Sequence, residues 1–253
     1  MTVTFLGTGT SQGVPVIACN CEVCTSTDPR DKRLRTSILI ESDEKIVVID
    51  SGPDFRYQML REQVQHLDAI VFTHEHKDHV AGMDDIRAFN YKQRAPLDVY
   101  AEPRVQASLK REFAYIFDEI KYPGVPQLNL HTIGHDPFDI GDIHFIPIEV
   151  MHYKLPVLGF RINDFTYITD AKTVSEAEKE KIKGSKILVI NALQTENHIS
   201  HFTLEEAISF AEEIKAEKTY FTHISHRLGL HQVVSELLPP NIELALDGLK
   251  LEI

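Results

Sequence analysis

The sequence lacks three features that would place it in other classes of protein. No run of apolar residues approaches the length of about 20 that a membrane-spanning helix needs, so we expect no membrane partner. Basic residues are the minority, with 26 lysines and arginines against 38 aspartates and glutamates, and the net charge of −12 argues against a broad nucleic-acid surface. The three cysteines are an odd number, which makes a disulfide framework a poor interpretation.

The rest of the composition is ordinary for a folded protein, with 43% hydrophobic and 25% charged residues in 253. This length suffices for one large domain with a substantial core, and no linker or repeat divides it. Residues 1–253 are therefore predicted to form a single domain. The N-terminus has neither a basic region nor a cleavage pattern, so we expect no signal peptide and a cytoplasmic protein.

Short runs rich in valine and isoleucine predict strands throughout the chain. The predicted strands are Val3–Leu6, Ser37–Glu41, Ile46–Ile49, Ala69–Phe72, Leu97–Tyr100, Ile143–Glu149, Gly159–Ile162, Phe165–Thr169, Ile187–Ile190, Lys218–Phe221 and Ile242–Ile253. The predicted helices are Phe55–Gln63, Val105–Phe117, Ser175–Ile182, Thr203–Ile214 and His231–Leu238. A capping box at Thr203 and Glu206 supports one helix start, and the Asp-Gly pair in Leu246–Leu249 predicts a tight hairpin. The pattern favours an α/β fold of four layers, two sheets packed together with helices outside.

One polar segment, residues 74–79, has the sequence H-E-H-K-D-H and directly follows an apolar strand. Its three imidazoles and one carboxylate belong to His74, His76, His79 and Asp78. A strand end is a rigid support from which a loop can aim several side chains at one point. Imidazole binds zinc, iron, manganese or nickel, and a carboxylate suits harder ions. The order of residues predicts a metal site better than it predicts a solvated polar loop.

Four ligands in so short a loop cannot enclose two metals, so other strand ends must contribute. His152, Asp170 and His223 each stand at the end of a predicted strand. Each of them alone is a weak signal, because a lone histidine after a strand is more often an ordinary polar cap. Their shared position after strands makes all three candidate ligands of the same site.

H-x-H-x-D-H followed in order by these three residues resembles the metallo-β-lactamase superfamily, and V-V-I-D-S-G at 47–52 resembles that family's strand-Asp-x-Gly motif. The resemblance implies an αββα sandwich of two mixed sheets with a two-metal site at one edge. It implies that the first metal is held by His74, His76 and His152, the second by Asp78, His79 and His223, and that Asp170 bridges them. Asp50 would orient a ligand histidine from outside the metal shell, the alternative being a turn- or helix-capping aspartate.

The three cysteines, Cys19, Cys21 and Cys24, form a C-x-C-x-x-C pattern. Structural zinc sites are usually tetrahedral, so one further ligand is required. His226, three residues after His223, could supply it; the alternatives are three free thiols or a reactive thiol pair. The zinc interpretation predicts a small loop, at about residues 14–30, pinned against the loop that carries His223.

The opening segment at 5–15, F-L-G-T-G-T-S-Q-G-V-P, has G-x-G-x-x-x-G spacing and no clear helix after it, so it is not a dinucleotide fingerprint. Together with the cysteines and T-H-I-S-H at 222–226, it resembles the cyclic phosphodiesterases of bacterial phosphonate degradation (the carbon–phosphorus lyase pathway), which are related to ribonuclease Z. That group implies a structural zinc held by the cysteines and His226. It also implies a histidine that contacts phosphate or the leaving oxygen. His201 fits this position and His198 is its rival.

The sequence therefore predicts a hydrolase with two divalent ions, zinc or manganese, in its active site and one structural zinc. We expect it to open a cyclic phosphate of a small sugar phosphate or nucleotide through hydroxide generated at the metals. Asp78 and His201 are the predicted catalytic residues, and Lys154 and Gln12 are candidates for substrate contacts. The alternatives are a tRNA 3′-processing endoribonuclease and a lactonase or thioesterase. The expected partner is a small anionic phosphodiester rather than extended nucleic acid, and a homodimer is left open.

Overall fold

The computed structural model describes residues 1–120 and 122–253. The strands are β1 (Thr2–Gly7), β2 (Ser37–Glu41), β3 (Ile46–Ile49), β4 (Ala69–Val71), β5 (Leu97–Ala101), β6 (Leu128–Thr132), β7 (Phe138–Ile140), β8 (Ile143–His152), β9 (Leu155–Ile162), β10 (Phe165–Tyr167), β11 (Thr173–Val174), β12 (Ile187–Asn191), β13 (Lys218–Thr222), β14 (Ile242–Leu244) and β15 (Lys250–Glu252). The helices are α1 (Glu22–Thr25), α2 (Phe55–Arg61), α3 (Lys77–Val80), α4 (Arg87–Gln93), α5 (Pro103–Glu112), α6 (Ala114–Phe117), α7 (Glu176–Ile182), α8 (Leu204–Ile214) and α9 (His231–Ser235).

These strands form two mixed sheets. The first has the order β15-β1-β2-β3-β4-β5-β6, with parallel pairing from β3 to β6. The second has the order β11-β8-β9-β10-β12-β13-β14, with parallel pairing from β10 to β14, and β7 pairs with β8. The carboxyl ends of parallel strands lie at the same edge of a sheet. The loops that follow these strands can therefore lie close together at that edge.

The alternation of side chains along the strands builds the layers. In β3, Val47 and Ile49 join the core between the sheets, where Phe5 and Tyr167 are also buried. Val48 points the other way and packs with side chains of α2, α4 and α5. Helices α7, α8 and α9 cover the outer face of the second sheet. The predicted four-layer αββα sandwich is confirmed.

Most predicted elements are present, with ends that differ by a few residues. The capping box is confirmed: Glu206 N donates to Thr203 Oγ1 at 3.2 Å, and Thr203 N donates to Glu206 Oε2 at 2.8 Å. The predicted helix Val105–Phe117 is two helices, α5 and α6, separated at Phe113. The elements that the patterns missed are β6, β7, β11, α1, α3 and α4. No helix in the described ranges has the length and apolar character to cross a bilayer.

The predicted hairpin at Leu246–Leu249 is wrong. β14 pairs with β13 in the second sheet, whereas β15 pairs with β1 in the first, so this turn carries the chain between sheets. Asp247 is fixed by distant groups: Thr8 Oγ1 and Leu34 N each donate to its carboxylate at 2.7 Å. An Asp-Gly pair thus marked a turn without specifying which strands it joins.

Candidate metal centre

The candidate ligands of the two-metal site converge where the two sheets meet. The loop after β4 supplies His74, His76, Asp78 and His79 from the first sheet. The second sheet supplies His152 as the last residue of β8, Asp170 after β10 and His223 directly after β13. We call these seven residues the histidine–aspartate cluster. The two sheets thus bring together residues that are far apart in the sequence.

Asp50 fixes the rings of two cluster histidines. Its Oδ2 lies 2.7 Å from Nδ1 of His79, and Thr73 Oγ1 donates to the same carboxylate oxygen at 2.7 Å. Thr73 Oγ1 is in turn 3.0 Å from Nδ1 of His74. Because the hydroxyl proton is used on Asp50, Nδ1 of His74 donates to it. Both rings therefore turn Nε2 toward the cluster, and His74 presents it without a proton, the form in which imidazole binds a metal.

The carboxylate of Asp170 lies at the centre of the cluster. Its Oδ1 is 3.2 Å from Nε2 of His223 and 3.1 Å from Nε2 of His201, and its Oδ2 is 3.2 Å from Nε2 of His79. Asp78 Oδ2 is also 3.2 Å from Nε2 of His79. Two carboxylates thus face histidine nitrogens from both sheets.

His152 and His76 form the more open side of the cluster. Nδ1 of His152 donates to the carbonyl oxygen of Ser200 at 2.9 Å, which leaves Nε2 without a proton. The ring of His76 is exposed and lies 4.6 Å from that of His74 and 5.2 Å from that of His152, between centroids. In three groups of residues near this cluster, the ligand atoms lie within 4.8 Å of one another, and His76 belongs to none of the three. The groups are His74, His79 and Asp170; Asp78, His79 and His223; and His152, Asp170 and His201. The assignment of each residue to a particular metal stays a prediction.

His201, rather than its rival His198, lies against the cluster. It is buried, its Nε2 faces Asp170 at 3.1 Å, and its ring stacks on that of His223 at 4.9 Å between centroids. His198 lies one layer further out, with Nδ1 3.1 Å from Nδ1 of His201. Burial, together with His223, lowers the pKa of His201 to about 4 against the opposing effect of Asp170.

Several residues of the site have left-handed backbones. The φ angles are +65° at Asp50, +57° at Asp170 and +54° at His223. Such angles are costly for residues other than glycine and cluster at functional sites. Asn191 supports the conformation of Asp170 through the next residue, Ala171. Its Oδ1 accepts from Ala171 N at 2.6 Å, and its Nδ2 donates to Ala171 O at 2.9 Å.

Charge and burial oppose each other in the cluster. Burial, with neighbouring histidines, holds the pKa of His74 well below its usual value. Burial acts to raise the pKa of Asp170 and Asp78, yet His79 and His223 hold both well below normal. Burial also opposes protonation of His79, but the surrounding carboxylates raise its pKa well above normal. The carboxylates are therefore anionic, as ligands of cations must be.

Buried ring nitrogens test whether metal ions fit this donor set. Among the described residues, Nε2 of His74, His79 and His223 makes no hydrogen bond of good geometry, although all three side chains are buried and carboxylate oxygens lie 3.2 Å from Nε2 of His79 and His223. Buried polar atoms without partners are rare in folded proteins. Their neighbours Asp78 and Asp170 are oxygen donors. A mixed set of imidazole and carboxylate suits zinc or manganese, so the residues fit divalent ions.

Arg104 of α5 ties the two sides of the cluster together, and sequence reasoning missed it. Its Nη1 donates to both carboxylate oxygens of Glu75, at 2.6 and 2.5 Å, between His74 and His76. Its Nη2 donates to Pro156 O at 2.7 Å, on the strand that follows His152. An arginine just before a predicted helix carries no local signal of such a role, because both partners are distant in sequence.

A cavity of about 440 Å³ opens from the cluster to solvent, and we call it the mouth. It is lined by His76, His152, Tyr153, Lys154, Leu155, Ile199 and Ser200. Lys154, one of the two side chains expected to contact substrate, is therefore beside the cluster. Gln12 is exposed in the turn after β1 and does not line the mouth.

The cysteines and His226 form a second group, the cysteine cluster. Nδ1 of His226 is 3.4, 3.2 and 3.5 Å from the sulfurs of Cys19, Cys21 and Cys24, which are all free thiols. The Cys24 backbone N–H and His226 lower the pKa of Cys21 to about 6, whereas burial raises that of Cys24 to about 11. Three sulfurs and one nitrogen converging in this way fit a tetrahedral zinc site.

Comparison with known sequences identifies the family. The model of the beta-lactamase superfamily domain matches residues 45–224. A Porphyromonas gingivalis protein named octanoyltransferase is 42% identical over 249 residues, which are 97% of this chain and 50% of that protein. Coenzyme PQQ synthesis protein B of Methylorubrum populi is 32% identical over 123 residues, 43% of this chain and 40% of that protein. The chain thus spans about half the length of the curated relatives it matches.

Solved structures agree. The crystal structure of a diphosphatase from the PhnP family is 42% identical, with a TM-score of 0.93 and coverage of 99% of this chain and 96% of that one. Zinc-bound PqqB from Methylobacterium extorquens (TM-score 0.82, covering 100% of both chains) and the short form of human tRNase Z (TM-score 0.70, covering 100% and 99%) are each 19% identical and show the shared fold alone. The predicted resemblance is confirmed: the chain belongs to the metallo-β-lactamase superfamily and, within it, to the PhnP family.

Proposed function

We propose that this chain is a metal-dependent phosphoric diester hydrolase that opens a cyclic phosphate of a small sugar phosphate or nucleotide. The observation that carries the proposal is the histidine–aspartate cluster, whose unpartnered buried nitrogens lie beside two anionic carboxylates. The solved structure that is 42% identical, and 96% of which this chain covers, is a diphosphatase. This favours chemistry at phosphorus.

Two divalent ions, zinc or manganese, would be held by His74, His76, Asp78, His79, His152, Asp170 and His223. When bound, such ions supply a nucleophile from water at neutral pH and stabilise charge on phosphoryl oxygens. Asp78 is the proposed catalytic carboxylate. A third ion, a structural zinc, would be held by Cys19, Cys21, Cys24 and His226, in a loop at about residues 14–30.

The protein's own groups prepare this site. Asp50 and Thr73 keep the rings of His74 and His79 in one orientation, and the bidentate hold of Asn191 on Ala171 keeps Asp170 in its left-handed conformation. His201 Nε2 lies 3.1 Å from Asp170 Oδ1, against the histidine–aspartate cluster, where it can donate a hydrogen bond to a phosphoryl or leaving oxygen. Burial lowers the pKa of His201 to about 4, so this residue can pass a proton to the leaving alkoxide only where bound phosphate keeps the ring protonated.

A carboxylic substrate is the second candidate, because the Porphyromonas gingivalis relative is named octanoyltransferase. That name belongs to a protein about twice as long, half of which has no counterpart here. The third alternative, tRNA processing, requires a surface for an extended anion, and the net charge of −12 opposes it. We therefore place the small cyclic phosphodiester first.

The test is hydrolysis of bis(p-nitrophenyl) phosphate by purified protein with added manganese or zinc, followed by assays on cyclic sugar phosphates and cyclic nucleotides. We expect turnover that His76→Ala abolishes while the fold is retained by circular dichroism. Precursor tRNA and an octanoyl thioester are assayed in parallel. Cleavage of either in preference to every small phosphodiester, by protein with its full metal content, would replace the proposed function.

A further inference from the structure

Two large apolar side chains that line the mouth lie outside the hydrophobic core. Tyr153 is 52% exposed and Ile199 65% exposed, and both line the mouth beside His76 and His152. Exposed apolar surface beside a polar site is a common mark of ligand contact. The mouth therefore offers an apolar surface immediately outside the histidine–aspartate cluster.

The backbone at Tyr153 gives a second, independent observation. β8 ends at His152 and β9 begins at Leu155, and these two residues pair, so Tyr153 and Lys154 form a two-residue hairpin turn. Tyr153 has a φ of +58°, while Lys154 is not among the positive-φ residues. Turns with positive φ at the first position alone favour glycine there. A tyrosine at this position is strained, and strain of this kind persists where a side chain has a role.

Lys154 completes the arrangement. Its Nζ lies 5.3 Å from the centroid of the Tyr153 ring, a cation–π contact that restrains the ring while half of the residue stays exposed. The same ammonium is the cation of the mouth lining in a chain of net charge −12. An entering phosphate compound thus meets a positive charge and a restrained aromatic face on one hairpin.

We propose that the substrate is a phosphodiester that carries a planar ring, of the nucleotide class, and that this ring stacks on Tyr153 against Ile199 while its phosphate enters the histidine–aspartate cluster. This inference rests on the proposed function and narrows it from sugar phosphates in general to ring-bearing ones. Tyr153 directly follows His152, so a group held at the cluster is within reach of the ring. Stacking on an aromatic side chain recognises any base by its flat face.

The experiment compares two substrates that differ only in the ring: 2′,3′-cyclic AMP and methyl β-ribofuranoside 2,3-cyclic phosphate. The variants are Tyr153→Gly, which removes the ring and relieves the backbone, and Tyr153→Phe, which keeps it. Tyr57→Ala, which alters an equally exposed tyrosine on α2, is the control. We expect Tyr153→Gly to lower kcat/KM for cyclic AMP about 5- to 100-fold, chiefly through KM, and to change the ring-free substrate less than about twofold. Tyr153→Phe should retain the preference.

The thermal midpoint separates this role from a structural one. Since glycine suits a positive φ, Tyr153→Gly should unfold at the same or a higher temperature than the wild type. An unchanged ratio of the two kcat/KM values in Tyr153→Gly, with both substrates hydrolysed, would overturn the ring-stacking inference alone. Failure of the metal-loaded wild type to hydrolyse either substrate would instead overturn the proposed function, and this inference with it.

Discussion

The two clusters of ligand-type side chains are built in opposite ways. The histidine–aspartate cluster draws on four strand ends of two sheets, and His74, His79 and His223 are buried there. The cysteine cluster takes three ligands from six consecutive residues in a loop, and Cys19 and Cys21 are only partly buried. The positions of the ligands in the histidine–aspartate cluster are set by the strands of the fold. In the cysteine cluster, a bound ion would instead stabilise the conformation of the loop. Removing ligands should therefore affect chemistry at one and stability at the other.

Asp170→Asn should show the largest effect, because it removes the central carboxylate. We expect loss of divalent ions and a fall in kcat/KM of at least about 10³-fold, the scale of several kcal/mol that metals contribute to transition-state stabilisation. Metal content by mass spectrometry and turnover of bis(p-nitrophenyl) phosphate are the measurements. Asp164→Asn, at a half-exposed aspartate paired with Lys186, is the control and should change neither. Full metal content with undiminished turnover would show that Asp170 is not a ligand.

Arg104→Ala tests whether the cluster depends on support from outside. Without the contacts of Nη1 to Glu75 and of Nη2 to Pro156, the loop after β4 and strand β9 lose a shared anchor. We expect metal affinity to fall about 10- to 100-fold, as when outer-shell partners of ligands are removed. Competition with a chelator measures it, and Arg104→Lys should recover part of the loss through its single charge.

Arg111 of the same helix is 71% exposed at its side chain and makes a matched control. Arg111→Ala should leave metal affinity unchanged. If Arg104→Ala lowers only the thermal midpoint and leaves the affinity at the wild-type value, the arginine stabilises the fold without positioning the site.

Cys21→Ser addresses the other side of the comparison. Loss of one thiolate should remove the structural zinc and lower the free energy of unfolding by more than about 2 kcal/mol, because loss of a metal is among the large single-residue effects. The kcat of protein still folded at 25 °C should stay within about twofold of wild type. Glu22→Gln, an exposed change at the next residue, should cost less than about 0.5 kcal/mol. A catalytic defect in Cys21→Ser without loss of stability would reverse the division between the clusters.

The sequence predicted what each strand end carries better than what lies around it. H-x-H-x-D-H and C-x-C-x-x-C are local, so their residues could be named at once, and the order of later strand-end residues completed the set. Thr73, Asn191 and Arg104 escaped notice because their contacts join segments far apart in the chain. A threonine directly before the first histidine was the one local signal available for these supports.

The fold shows the same limit. Apolar runs predicted β2 and β3 with the observed bounds and β4, β12 and β13 to within one residue, since burial on two faces leaves few choices of sequence. The predicted β8 and β9 were three and four residues too short. β6 was missed because its exposed and half-buried residues at a sheet edge carry little apolar pattern. The crossing of the chain from β14 to β15 was missed because an Asp-Gly turn is satisfied locally, whereas the partner of each strand is decided by tertiary packing.

His231 gives the smallest effect, and it concerns a buried histidine outside both clusters. Its Nδ1 accepts from Arg33 Nη2 at 3.1 Å and its backbone N–H donates to Asp31 at 2.7 Å, so it links α9 to the segment that follows the cysteines. Burial, with Arg33 and Arg30, lowers its pKa from 6.5 to about 4. Between pH 6.5 and about pH 4, this histidine is protonated in the unfolded chain but not in the folded protein. The free energy of unfolding therefore falls as the pH falls through this range.

His231→Gln keeps an acceptor for Arg33 but has no proton to bind. Its stability should therefore fall less than that of the wild type between pH 7 and pH 4, by about 1–3 kcal/mol. Urea unfolding of metal-loaded protein across this range measures the difference, with His66→Gln, at a half-exposed histidine, as the control. Acid also releases metal from both clusters, and this lowers the free energy of unfolding of all three proteins alike as the pH falls. Only the additional pH dependence of the wild type and His66→Gln, beyond that of His231→Gln, reports the protonation of His231. Equal slopes in all three would mean that His231 is protonated as readily in the folded protein as in the unfolded chain.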